Sequence, residues 1–176
     1  AKTKGSLKFH NVITVRNREG NLIVMSRNGE ITVVDANGRE RERYSIVYGA
    51  KLLMKENQAV DRGAMIAEWD PYSTPIISEV QGKAVYEDLE EGLTMQEQFD
   101  AVTGLSNKVI IESKTDKRPK VLITDTNGNV VQVAGSQRMG RYNLPMGSTL
   151  IVMDNDEIMP GDMITKIHRE SSKAKD

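Results

Sequence analysis

Cysteine is absent from this 176-residue chain, which excludes a disulfide frame, a thiolate zinc site and a cysteine nucleophile. Histidine occurs only at His10 and His168, and neither has a histidine or cysteine within metal-ligand spacing. Both read as ordinary strand or surface residues. An excess of either charge is lacking too. Lys+Arg 24 against Asp+Glu 25 leave a net charge of −1, so no global field draws in nucleic acid or anionic lipid. No apolar run approaches the ~20 residues of a membrane-spanning helix, and Ala1-Lys-Thr-Lys-Gly5 lacks the layout of a signal peptide. These absences lead to the expectation of a soluble, cytoplasmic chain with no membrane partner.

What is present is internal repetition. Gly49 to Glu68 aligns without a gap onto Gly147 to Lys166, and Gly49, Leu52, Asn57, Gly63, Met65 and Ile66 recur as Gly147, Leu150, Asn155, Gly161, Met163 and Ile164. Asp35, Asn37 and Gly38 answer Asp125, Asn127 and Gly128, and Gly5-Ser-Leu-Lys-Phe-His faintly answers Gly82-Lys-Ala-Val-Tyr-Glu. Each copy spans roughly 80 to 90 residues, far above the period of solenoid or propeller repeats, so the repeating unit is a small domain. The reading is an internal duplication, with a first domain at 1–81 and a second at 82–176. The tails Ala1–Lys4 and Ser172–Asp176 are polar and are expected to fray.

Short β-branched runs dominate the secondary-structure pattern. Val12–Val15, Leu22–Met25, Glu30–Val34, Lys108–Ile111, Lys120–Thr124 and Asn129–Val133 read as strands. Asn28-Gly29, Asn37-Gly38 and Asn127-Gly128 fit tight turns with positive φ, and Glu19-Gly20 marks a hairpin connection. The one helical candidate is Thr94 to Ala101. An all-β fold follows. Within the recurring window, glycines at strand starts are expected to let the chain swing between two small sheets where a Cβ would clash. The same pattern occurs in barrel-sandwich hybrid folds, the architecture of biotin and lipoyl carrier domains.

That likeness makes Lys55 a candidate attachment site. Yet Lys55 lies just before Val60 rather than well upstream of it, and the second copy has Met153 there, so Lys55 reads as a solvated turn residue. The acidic clusters Glu87–Glu91 and Asp154–Glu157 lack the alternating oxygen ligands and central glycine of a calcium loop. Arg39-Glu-Arg-Glu-Arg43 would, on a strand, put Arg39, Arg41 and Arg43 on one face. That face could meet phosphates or an acidic protein, although charged edge strands also serve to block unwanted pairing. Trp69-Asp-Pro-Tyr-Ser-Thr-Pro75 holds the only tryptophan and reads as a rigid crossing between the copies. No Ser-His-Asp set, glycine-rich phosphate loop or paired carboxylates emerges from spacing. The chain reads as a non-catalytic interaction module without a cofactor or small-molecule substrate. Arg39, Arg41, Arg43 and Trp69 form its candidate surface, and a free-standing adaptor or a carrier domain are the alternatives.

A series of motifs in order carries a resemblance. Gly5-Ser-Leu-Lys-Phe-His-Asn-Val, Val47-Tyr-Gly-Ala, Trp69-Asp-Pro, Pro75-Ile-Ile-Ser-Glu-Val, Thr103-Gly-Leu-Ser, Leu144-Pro and Arg169-Glu-Ser resemble the lineage-specific insertion in the trigger loop of the bacterial RNA polymerase beta-prime subunit. The similarity runs from about residue 4 to 171. It departs from the family in a shorter stretch between Ser106 and Arg118 and at Gly135–Gly140. The resemblance implies two sandwich-barrel hybrid domains that modulate trigger-loop folding, pausing and nucleotide addition. It implies the other polymerase subunits as partners, with downstream DNA a further candidate, and a nucleoid-associated location. The parent's catalytic magnesium and its zinc site would lie outside this segment, so no catalytic residue carries over. It also implies that the chain near Gly5 and near Ser171 emerges close together.

Overall fold

The computed structural model describes residues 1–169, so the C-terminal tail and Ser171 lie outside the described residues. Every regular element among the described residues is a strand, as the all-β reading expects. Among the described residues no helix is long and apolar enough to cross a membrane. The chain forms two compact units, Ala1–Asp70 and Pro71–Asp176.

The first unit contains β1 (Gly5–His10), β2 (Thr14–Arg16), β3 (Leu22–Val24), β4 (Gly29–Val34), β5 (Glu40–Ile46), β6 (Lys51–Leu52), β7 (Ala59–Val60) and β8 (Ala67–Glu68). They make two antiparallel sheets in the orders β5-β4-β1-β7 and β2-β3-β6-β8. The second unit contains β9 (Ser73–Ile77), β10 (Gly82–Glu87), β11 (Met95–Phe99), β12 (Ser106–Ile110), β13 (Lys120–Thr124), β14 (Arg141–Asn143), β15 (Thr149–Leu150), β16 (Glu157–Ile158) and β17 (Met163–His168). Its sheets run β14-β13-β10-β16 and β11-β12-β15-β17-β9. The sequence reading draws the border after Gln81. The units divide after Asp70 because β9 pairs along β17, with Ser73 opposite His168 and Ile76 opposite Thr165.

Apart from β9, the two units have the same strand order and the same register. Gly5 faces Val60 as Gly82 faces Ile158, and Leu52 faces Ala67 as Leu150 faces Thr165. The recurring window passes back and forth between the sheets: β6 and β8 belong to one and β7 to the other, as do β15, β17 and β16. Asn57 (φ 65°) and Asn155 (φ 71°) turn this crossing, a left-handed conformation that asparagine tolerates better than most residues. Their amides donate to Leu7 O at 2.9 Å and Ala84 O at 2.8 Å, while Leu7 and Ala84 donate back to Gln58 O and Asp156 O.

Each unit closes its own core from both sheets. Leu7, Ile31, Val33, Ile46 and Val60 meet Val24 and Leu52 in the first. Ala84, Val121, Ile123 and Ile158 meet Ile110, Leu150 and Ile164 in the second. Full burial of a Leu or Ile side chain contributes about 1.5–3 kcal/mol, so these short strands are held by side chains more than by their few ladder bonds.

Several local expectations change. The stretch from Thr94 to Ala101 is not helical: Met95–Phe99 forms β11, paired residue for residue with β12. Asn129–Val133 makes only isolated bridges, Val130 with Thr124 and Gln132 with Met139. Gly38, Gly128 and Gly20 adopt the expected positive φ. Gly29 instead opens β4, where a Cβ would press on Ser26 Oγ at 3.1 Å and Val12 Cγ2 at 3.2 Å. In the window, Gly63 and Gly147 have open space where a Cβ would sit but φ of +89° and +84°, so torsion rather than crowding requires glycine. The N-terminal segment is docked rather than frayed. Gly63 N donates to Ala1 O at 2.8 Å, and Glu42 accepts from Lys2 N, Thr3 N, Thr3 Oγ1 and Tyr44 Oη.

Crowding does act at the head of the central strands. A Cβ on Gly5 would lie 2.3 Å from Val34 O, and one on Gly82 would lie 2.5 Å from Thr124 O and 2.7 Å from Ile123 Cγ2. Backbone cannot yield as a side chain can. Gly5→Ala and Gly82→Ala should each destabilise the affected unit by about 1–3 kcal/mol, read by chemical denaturation; unchanged midpoints would contradict the close approach.

Glu42 gives a pH prediction. Desolvation raises its pKa, but the hydrogen bonds from Thr3 Oγ1, Tyr44 and the Lys2 and Thr3 amides outweigh it and hold the carboxyl at about 2, against an ordinary 4.5. Because the folded value is depressed, the tether is fully present above pH 4.5 and is lost as pH falls through 2. The Lys2 and Thr3 amide resonances should titrate with a midpoint near 2 rather than 4.5, and Glu42→Gln should release the segment at neutral pH.

Candidate interaction surface

β5 ends its sheet, and the arginine stripe lies on this edge. The alternation expected of a regular strand is interrupted there. Val33 faces Glu42 but Val34 faces Glu40, which leaves Arg41 as the extra residue of a bulge. Arg43 binds two carboxylates, those of Glu30 and of Glu40, the latter at 2.7 Å. The Glu40 hydrogen bond is the main cause holding the Arg43 pKa above its ordinary value. The same contact lowers the Glu40 carboxyl. Arg41 Nε lies 3.9 Å from Asp35 Oδ2. The Arg39 amide donates to Asp35 Oδ1 at 3.0 Å and is the main cause of that carboxyl's lowered pKa. The stripe is thus an edge whose cations are partly matched by Glu30, Asp35 and Glu40.

Trp69 is half exposed and stands apart from these ion pairs, at the rim of a groove of about 330 Å³. Ile31, Tyr44, Ile46, Ile66 and Ala67 line it, and Met65 is exposed beside it. All of these residues belong to the first unit.

The feature the sequence reading misses is the hairpin tip between β11 and β12. Asp100 N donates to Leu105 O and Gly104 N to Asp100 O, both at 2.8 Å, with Gly104 at φ +73°. The Asp100 carboxylate accepts from Val102 N at 2.8 Å, and the Val102 and Thr103 amides hold its pKa below the usual range. This ordered turn pushes Phe99, Val102 and Leu105 into solvent, Val102 with 94% of its surface exposed. Asp100 and Gly104 are the turn signals for it, obscured by the helix-forming residues before them.

Beside the tip, a polar hollow of about 400 Å³ is lined by Gln98, Asn107, Thr149 and His168. His168 Nε2 lies 3.0 Å from Thr149 Oγ1, and His10 Nε2 lies 3.1 Å from Thr32 Oγ1. Each histidine thus meets a threonine. No group of three metal-ligating side chains occurs among the described residues.

The acidic clusters support turns. Asp88 accepts from the Arg118 amide, Glu90 pairs with Lys117 at 2.9 Å and Glu91 accepts from the Glu97 amide. Asp154 and Asp156 accept from the Tyr86 and Met153 amides. Tyr86, whose hydroxyl donates to Val152 O at 2.5 Å, is pushed up to about 12 by desolvation and by those two aspartates. Lys55 is an exposed turn residue whose amide donates to Gln58 Oε1 at 3.0 Å.

No family model matches the chain. Over 173 residues, 98% of its length, it is 51% identical to the DNA-directed RNA polymerase subunit beta' of Bdellovibrio bacteriovorus. It is 48% identical over the same extent to the DNA-directed RNA polymerase subunit beta' of Syntrophobacter fumaroxidans. The chain spans only 13% of the length of each of these relatives. The resemblance is therefore borne out as far as the subunit: this chain is similar to one segment of the DNA-directed RNA polymerase beta' subunit.

Proposed function

We propose that the chain is a non-catalytic module inserted in the trigger loop of an RNA polymerase beta' subunit, where it modulates trigger-loop folding, pausing and nucleotide addition. The observation that carries this reading is the pairing of a match over 98% of the chain with coverage of only 13% of the relatives. A self-contained pair of β units occupies a small part of a large transcription protein. We further read the units as sandwich-barrel hybrid domains that arose by duplication, on the strength of their common strand order and register. The two-domain division, cytoplasmic location with the polymerase, and magnesium and zinc sites elsewhere in the parent belong to the same proposal.

The mechanism is mechanical and electrostatic. A trigger loop alternates between open and closed forms, and a folded mass inserted in it moves with it. A contact made in only one position shifts that equilibrium by its differential free energy. About 1.4 kcal/mol suffices for a roughly tenfold change. The partners are the other polymerase subunits. We assign the contact to the apolar hairpin tip, where exposed Phe99, Val102 and Leu105 lose water on docking. Arg39 and Arg41 on the β5 edge, and Trp69 at the rim of its groove, are two separate further contact candidates, whereas Arg43, matched by Glu30 and Glu40, is a weaker candidate for downstream DNA.

Deleting residues 5–171 from the parent subunit should change pause lifetimes and nucleotide addition rates several-fold. Replacing Phe99, Val102 and Leu105 by serine should reproduce part of that change, because these side chains contribute little to the core. Rates unchanged by the deletion would overturn the proposal.

A further inference from the structure

The two units differ at one place that bears on what else the module binds. In the second unit β17 has a neighbour on each side, β15 and β9. In the first unit β8, in the same register on β6, ends its sheet. Met163 and Thr165, which face Ile77 and Ile76 of β9, correspond in the recurring window to Met65 and Ala67. Met65 is 62% exposed and Trp69 51% exposed, and both flank the apolar groove, whereas Ile77 is only 4% exposed.

The approach to this edge is the same in both units. Ser78, which directly follows β9, donates its amide to Asp162 O and accepts from Gly161 N, both at 2.8 Å. Ala1 donates to Ala64 O at 2.7 Å and accepts from Gly63 N at 2.8 Å. Gly63 and Ala64 are the window counterparts of Gly161 and Asp162. Ala1 therefore stands where Ser78 stands, one residue beyond the end of a strand.

We infer that the outer edge of β8 is a strand-binding site, filled in the parent subunit by the segment of about five residues that leads into Ala1, the length of β9. That segment runs antiparallel along Ala67 and Trp69, and its last residue, in the place of Ile77, is apolar and covers the Met65 side of the groove. Two physical terms favour this. An edge strand has unpaired ladder groups on its outer side, and strand addition pairs them while alternate side chains enter the neighbouring pocket. The pairing of Leu52 with Ala67, with Leu53 N donating to Ile66 O, leaves the Ala67 and Trp69 amides pointing away from β6. The inference rests on the chain being part of a longer polypeptide, as its 13% coverage of the relatives indicates.

The test extends the chain at its N-terminus by the five residues that precede it in its parent subunit, and follows amide exchange and the emission of Trp69, the only tryptophan. Exchange of the Ala67 and Trp69 amides should slow at least about tenfold, and the emission should shift to shorter wavelength as the indole leaves water. Ala67→Pro in the extended chain removes one outward donor without touching the β6 ladder. It should abolish protection at Trp69 while the Val24 amide, bonded to Ala50 O, stays protected. Unchanged exchange and emission on extension would overturn the inference. So would protection that arises in the unextended chain only as its concentration rises, which would assign the edge to a second copy. No polymerase is present in this experiment, so its failure leaves the elongation result untouched.

Discussion

One short crossing holds each unit together: the chain leaves one sheet, turns through a left-handed asparagine, adds a strand to the other sheet and returns. Asn57 and Asn155 carry the turn, and each binds the backbone of the central strand, at Leu7 and Ala84. The strands on either side are two residues long and could not pair stably alone. Their pairing depends on the reciprocal bonds at Leu7 and Ala84 and on the burial of Leu52, Val60, Leu150 and Ile158 between sheets. The glycines before and after the crossing supply the φ that the path demands. At Gly5 and Gly82 the requirement is instead room for a neighbouring carbonyl.

Much of this plan is legible in the residues because repetition exposes it. Gly49, Asn57 and Gly63 recur at matched spacing as Gly147, Asn155 and Gly161, which marks them as backbone positions and not as chemistry. Strands rich in valine and isoleucine, such as Glu30–Val34 and Lys120–Thr124, announce themselves by alternation. What escapes is set at long range. Thr94–Ala101 carries a run of good helix formers, Met95 to Gln98, yet five residues pair with β12 and the ladder overrides propensity. β9 belongs with β17, about 90 residues later, and no local signal records that. The N-terminal segment lacks any ordering pattern of its own, because its anchor, Glu42, lies 39 residues from Thr3.

The candidate surface was legible only in part. Arginines at alternate positions predict an edge strand, and an edge strand is found. The bulge at Arg41 and the Glu30 partner of Arg43 cannot be seen in the run itself, because Glu30 comes from the next strand. Trp69 stands out by rarity, but its groove is built from residues spread between Ala1 and Ala67. The hairpin tip is hidden by the same helix-forming composition that hides β11. The carboxylates that could suggest a cation site are hydrogen-bond acceptors in turns, and both histidines meet threonines. A module so arranged acts through the shape and placement of its surface, which is the sense in which we propose that it works within the polymerase.

Because the chain has no cysteine, a single one introduced at the exposed Val102 carries a dye without competing labels. Energy transfer from that position to a dye fixed on the polymerase core, followed through successive nucleotide additions, tests the central claim most directly. The account predicts two distances that interchange with each addition cycle, in proportions altered when the hairpin tip is made polar. A single distance, unchanged by nucleotide, would contradict it.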